Sequence, residues 1–170
     1  MIGNAAPIIL TATMGAADFA WADTLRRAHF PAGRNKVPAH ITLFHHLPPG
    51  LQRELMDRMA VICRGKAPAA QLAGLLNLGN GVAFRVESAG LDAIRAELAD
   101  MFQGLLTPQD QAKPRFHITV QNKVSSDRAR LAFNELNASF RPRPLVISGL
   151  AAWRYMGGPW EPIRAMPFRG

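Results

Sequence analysis

The chain has 170 residues, 48% hydrophobic and 19% charged, the make-up of a folded protein with a real core, which excludes a disordered or collagen-like chain. Its net charge of +8, carried mostly by arginine, points to an anionic partner such as RNA, a nucleotide or a phosphate ester. The one cysteine, Cys63, excludes an internal disulfide and a cysteine-based zinc site, and no stretch approaches the roughly 18 apolar residues of a membrane span.

The start, Met1 to Ala6, has neither a basic cluster nor a long apolar run. No signal peptide is expected, and a cytoplasmic protein is. Pro7 to Met14 reads as a first strand closed by Gly15. A helix follows from Asp18 to about His29, with Phe19, Leu25 and Ala28 on its buried stripe and Trp21 and Ala22 beside it. Pro31 to Pro38 is a loop carrying Arg34 and Lys36. Ala39 to Leu47 reads as a strand ended by Pro48-Pro49-Gly50. Leu51, Leu55, Met59 and Ile62 then recur at helical spacing. A strand over Gln71 to Leu78, the turn Gly79-Asn80-Gly81 and a strand over Val82 to Glu87 make a hairpin.

The order of elements now repeats. Leu91, Ile94, Leu98, Met101 and Leu105 form a helical stripe, and a loop carries Lys113, Pro114 and Arg115. A strand runs from Phe116 to Val124, and Ser125, Ser126 or Asp127 can cap the next helix. Leu145 to Met156 reads as a long strand with a bulge at Gly149. Gly157-Gly158-Pro159 turns the chain into a last strand over Trp160 to Phe168. Interleaved strands and helices also suit a doubly wound parallel sheet. The two tight turns favour antiparallel pairing instead. The expectation is therefore an α+β chain of residues 1–170, one bilobal domain with pseudo-two-fold symmetry. It has two antiparallel sheets, helices packed outside and a central cleft.

Two copies of one phrase carry the chemistry: His40-Ile41-Thr42-Leu43 and His117-Ile118-Thr119-Val120. In a strand the His and Thr share one face, and the aliphatics anchor the other. Two imidazoles across one cleft make an acid and a base for cleaving a phosphodiester. The Thr42 and Thr119 hydroxyls, with nearby cations, suit the charge on phosphoryl oxygens. One copy would be a weak signal. Two copies, each after a basic loop and before a helix, are a specific one.

On these two motifs and the repeated element order, the chain resembles the 2H phosphoesterase superfamily, close to the RNA 2′,3′-cyclic phosphodiesterase (2′-5′ RNA ligase) family. The resemblance implies a bilobal α+β fold with both motifs facing a central cleft. It implies metal-independent hydrolysis of a 2′,3′-cyclic phosphate to a 2′-phosphomonoester, with 2′-5′ RNA ligation as the reverse direction. It implies His117 as the base that activates water, His40 as the acid, and Thr42 and Thr119 as phosphate holders. The chain departs from its relatives at Phe116, where they often have proline, and at Asn122, where they often have arginine.

Strand parity supplies substitutes for the missing contacts. Gln121 and Lys123 fall on the face of His117 and Thr119. Phe44 and His46 fall on the face of His40 and Thr42 if no bulge intervenes. Arg34, Lys36, Lys113 and Arg115 lie just before the motif strands and suggest an electropositive rim. The expected substrate contacts are Phe44, Lys36, Arg115, Gln121 and Lys123. The partner is an RNA or nucleotide with a 2′,3′-cyclic phosphate, bound by a monomer without a membrane and without a cofactor. Two rivals stand beside this reading. One is a non-catalytic module that binds RNA or phosphate ends, which has no need of two proton-transfer groups. The other is a metal hydrolase with zinc on His40, His46 and His117, for which the sequence offers no carboxylate or supporting pattern.

Overall fold

Apolar residues dominate Ile8–Met14, and that segment forms β1, the centre of one wing of the sheet. The computed structural model describes residues 6–170. Residues 1–5, over which no targeting signal is expected, lie outside the described residues. In chain order the elements are β1, α1 (Ala16–His29), β2 (Ile41–Leu47), α2 (Gln52–Ile62), β3 (Ala69–Asn77) and β4 (Val82–Glu87). They continue with α3 (Ala89–Met101), a short α4 (Pro108–Gln111), β5 (His117–Gln121), α5 (Ser126–Ser139), β6 (Arg143–Arg154) and β7 (Glu161–Pro167).

All strand pairings are antiparallel, in the order β2-β1-β6-β3-β4-β5, with β7 beside β6. The long β6 joins two sheets. Its start, from Arg143 to Val146, pairs with β3, and the rest pairs with β1 and β7. The strand order is a palindrome when β1-α1-β2-α2-β3 is laid on β4-α3-β5-α5-β6. That is the repeat read from the sequence, with β7 as the addition. The two motif strands, β2 and β5, are the terminal strands of the order.

Local rules explain most boundaries. Gly79 takes φ +87°, and the Leu78 amide donates to the Gly81 carbonyl (2.8 Å), closing the β3–β4 hairpin. Ser88 and Ser125 cap α3 and α5 by accepting the Leu91 and Arg128 amides. Leu55 and Met59 of α2 are fully buried, each contributing about 1.5–3 kcal/mol. The β6 bulge falls where expected, the register against β1 slipping between Gly149 and Ile147. A Cβ on Gly149 would strike the Met166 carbonyl of β7.

The stripe expected on α1 is corrected. Its buried residues are Asp18, Ala22 and Arg26, while Phe19 and Ala28 are exposed and Leu25 is only partly covered. The reason is a pair of charged anchors on the inner face. Asp18 accepts the Val146 amide (2.8 Å) and the Arg143 guanidinium (2.7 Å), and Arg26 reaches β5. At the end of the α3 stripe, Met101 and Leu105 are exposed, because α3 stops at Met101.

Candidate active site

Each histidine is set by the turn of chain that leads into its strand. His40 Nδ1 lies 2.9 Å from the Pro38 carbonyl, and His117 Nδ1 lies 2.6 Å from the Arg115 carbonyl. A carbonyl only accepts, so Nδ1 carries the proton in both rings. In its neutral form each imidazole therefore keeps its Nε2 lone pair free. The same two-residue step back in both halves is the local signature of the repeat.

The motifs meet crosswise. His40 and Thr119 line one pocket, of about 410 Å³. His117 and Thr42 line a second, of about 220 Å³. Each pocket thus joins the imidazole of one motif to the hydroxyl of the other, and a charge on His117 opposes one on His40. Arg34, Lys36 and Lys123 rim the first pocket, and Arg95, Lys113 and Arg115 the second. Among the described residues no carboxylate lines either one.

A crossed pair of arginines fixes the motif strands. Arg26, from α1 of the first half, donates to the Thr119 carbonyl of β5 (2.8 Å). Arg95, from α3 of the second half, donates to the Leu43 carbonyl of β2 (2.8 Å). Both guanidiniums lie over aromatic rings, Arg26 over Phe30 and Arg95 over Phe44. Asp110 of α4 completes the second latch. Its carboxylate accepts the His45 and His46 amides (2.9 Å each) and faces His45 Nδ1. Burial alone would raise the Asp110 carboxyl. The His45 ring and these two amides outweigh burial and hold it below 3.8.

The two histidines are not equivalent. Trp160, just past the β6–β7 turn, lies 4.6 Å from the His40 ring centre to centre, and Trp153 backs it at 6.1 Å. Burial pushes the His40 imidazole down from 6.5 to about 4, helped by the charges of Arg26, His117 and His45, against the hydrogen bond to Pro38. His40 is therefore neutral at pH 7 in the free protein.

Of the expected site residues, His40, His117, Thr42, Thr119, Lys36, Arg115 and Lys123 line the two pockets. Phe44 and Gln121 do not, and both expectations are corrected. The β1–β2 register jumps from Thr42 to Phe44, and the β4–β5 register from Thr119 to Gln121. A bulge thus falls on the fourth residue of each motif, Leu43 and Val120. It turns the next side chain inward. Phe44 is fully buried beneath Arg95. Gln121 is 4% exposed, its Oε1 without a partner among the described residues. Lys123 reaches the pocket in a left-handed turn, φ +62°, with the Asn122 side chain accepting its amide. His46 is exposed at the far end of β2. Among the described residues no group of three His, Cys, Asp or Glu is placed to hold a metal ion.

Sequence reasoning missed Arg26 and Arg95, and left Trp160 unassigned. The i, i+4, i+8 row of Asp18, Ala22 and Arg26 was the available signal for the first. Nothing local marks the other two, which reach the site only through tertiary packing.

Imidazoles just before β2 and at the start of β5, crossed with two threonines in a basic cleft without lining carboxylates among the described residues, are the arrangement expected of a phosphoesterase of the 2H kind. The model of the 2′-5′ RNA ligase superfamily matches residues 15–159, and the chain belongs to that superfamily. Its members are phosphodiesterases or ligases, and the chain is an enzyme of that general kind. Two solved structures share its fold across nearly their whole length. The protein TT0787 of Thermus thermophilus is 15% identical, covers 96% of this chain and 98% of its own, and superposes with a TM-score of 0.60. LigT of E. coli complexed with NADP+ is 14% identical, covers 97% and 99%, and has a TM-score of 0.58. No curated protein matches the sequence. No helix among the described residues is long and apolar enough to cross a membrane.

Proposed function

We propose that the chain hydrolyses a 2′,3′-cyclic phosphate, on an RNA end or a nucleotide, to a 2′-phosphomonoester by acid–base catalysis that needs no metal. The observation that carries this reading is the crossed pair of Nδ1-anchored imidazoles, each beside the other motif's threonine in a basic cleft. LigT of E. coli is known in complex with NADP+, ATP and 3′-AMP, which supports a nucleotide-sized ligand for this cleft. The action is proposed for a cytoplasmic monomer, residues 1–170 forming one bilobal domain.

One imidazole takes a proton from water as its oxygen attacks phosphorus. The P–O3′ bond opposite breaks, and the other imidazole protonates the leaving O3′. Thr42 and Thr119 hold the non-bridging oxygens, whose charge the cations offset. A 5′-hydroxyl attacking in place of water, with O3′ again leaving, gives a 2′-5′ linkage, which is ligation.

The asymmetry around His40 favours a division of labour opposite to the one the resemblance implies. His40, neutral in the free enzyme, is the base, and His117 is the acid. The acid limb of kcat/KM reports the free enzyme and is expected near pH 4. Bound phosphate is anionic and raises the His40 pKa, so the acid limb of kcat moves to higher pH. An acid limb of kcat/KM in the ordinary histidine range would overturn this division. The activity itself is tested with a nucleoside 2′,3′-cyclic phosphate in chelator. A 2′-phosphomonoester product is expected. Loss of turnover in chelator, restored by a divalent metal, would replace this mechanism with a metal-dependent one.

A further inference from the structure

Arg26 is a buried cation that no carboxylate of the described residues hydrogen-bonds; Asp23 of the same helix acts on it only through its charge. Arg26 is 5% exposed. Its Nε donates to the Asn35 side-chain oxygen (2.7 Å) and its Nη1 to the Thr119 carbonyl (2.8 Å). Both acceptors are neutral. Among the described residues no carboxylate lies within ion-pair distance of it. The Asp23 carboxylate, on the same helix, accepts the Ala39 amide (3.1 Å) and pairs with Arg27 (3.6 Å). Nη2 makes no hydrogen bond to any described residue, and Arg26 lines the pocket that holds His40 and Thr119.

The other half of the repeat shows what a self-contained version looks like. Arg95 is also 5% exposed, lies over a ring and donates to a motif-strand carbonyl. Its Nη2 donates to the Asp110 carbonyl (2.6 Å), and the Asp110 carboxylate acts on its charge as Asp23 acts on that of Arg26. The segment before β5 thus gives the Arg95 Nη2 an acceptor, where the loop before β2 offers its Asn35 oxygen to Nε and leaves the Arg26 Nη2 open. A buried guanidinium with no carboxylate bonded to it is costly to the fold. It is retained where an anion completes it, and a planar fork suits phosphoryl oxygens.

Resting on the cyclic-phosphate reading, we propose that Arg26 is a substrate-binding residue whose free Nη2 takes a non-bridging phosphoryl oxygen. The substrate's phosphate is the anionic acceptor that Asn35 does not provide. The phosphate then sits toward the pocket of His40 and Thr119, and Arg95 remains a structural latch.

The test is Asn35→Asp, which puts a carboxylate where Arg26 already has an acceptor. Inorganic phosphate, titrated by calorimetry, is the probe of the site, and KM for a nucleoside 2′,3′-cyclic phosphate is the second readout. Both the dissociation constant and KM are expected to rise roughly 10- to 100-fold. The melting temperature should stay level or rise, because the buried cation gains a partner. Arg26→Gln, which removes the charge and keeps an amide donor, should weaken phosphate to a similar degree and carries the test if N35D does not fold. If Arg26 only braces Thr119, N35D leaves phosphate affinity and KM at wild-type values, and that result overturns the proposal. So does a wild-type protein that binds no phosphate. A wild-type protein that binds phosphate, loses it in N35D and turns over no cyclic phosphate would leave the Arg26 site standing and remove the catalytic reading alone.

Discussion

Alanine at either His40 or His117 is expected to lower turnover of a nucleoside 2′,3′-cyclic phosphate by about 10²–10⁴-fold. Each ring makes one polar contact, to the carbonyl two residues back, and faces the cleft with the other nitrogen. Removing a ring therefore removes a proton-transfer group and leaves the strand register in place. KM should change less than kcat, because Thr42, Thr119 and the surrounding cations still hold the phosphate. The double variant should cost little more than the worse single one, since base and acid act on one displacement. Steady-state kinetics on purified variants, with melting curves to show that they fold, checks this. Near-wild-type turnover in both single variants would end the acid–base reading.

The site is half legible in the sequence, and the division has a physical cause. Alternation of His, aliphatic, Thr, aliphatic has the period of a strand, so the pairing of each His with its Thr on one face is visible without coordinates. Beyond the third residue that period fails. The bulges at Leu43 and Val120 each add one residue, and the parity argument fails for the strand residue that follows each. Phe44 and Gln121 fall to the same error for the same reason, one in each half. The basic rim is legible at Lys36 and Arg115, because their loops are anchored to the strands they precede, whereas Lys123, expected from strand parity, reaches the pocket through a left-handed turn past the end of β5. Arg26 and Arg95 are not legible. A hydropathy stripe counts charged residues as outward-facing, and here each arginine crosses to the opposite motif strand and is covered there. The repeat itself is legible as an order of elements, and it becomes the palindromic strand order. The four-residue α4 is too short to leave a periodic pattern, yet it carries the acid that holds β2.

That acid is the point where the largest loss of stability is expected. Asp110 is 0% exposed. Its carboxylate accepts the amides of His45 and His46, and it is the charge beside the buried Arg95. Asp110→Ala strips two strand amides of their acceptor and leaves a guanidinium buried with no opposing charge, at an expected cost of about 3–5 kcal/mol. Asp110→Asn keeps an acceptor and loses the charge, so it should fall between wild type and alanine. Denaturant midpoints order the three. Combining D110A with Arg95→Met should recover part of the loss, because the uncompensated cation goes with its partner. The pH dependence has a fixed sign. A carboxyl held below its unfolded value contributes stability that is complete above about pH 4 and is lost as the pH falls through the folded value. D110A should therefore lose less on acidification than wild type does. An Asp110→Ala protein as stable as wild type would show that α4 merely rests on β2. Loss of turnover that tracks loss of folding would instead tie the reach of His40 and Thr42 into the cleft to a latch from the other half of the chain.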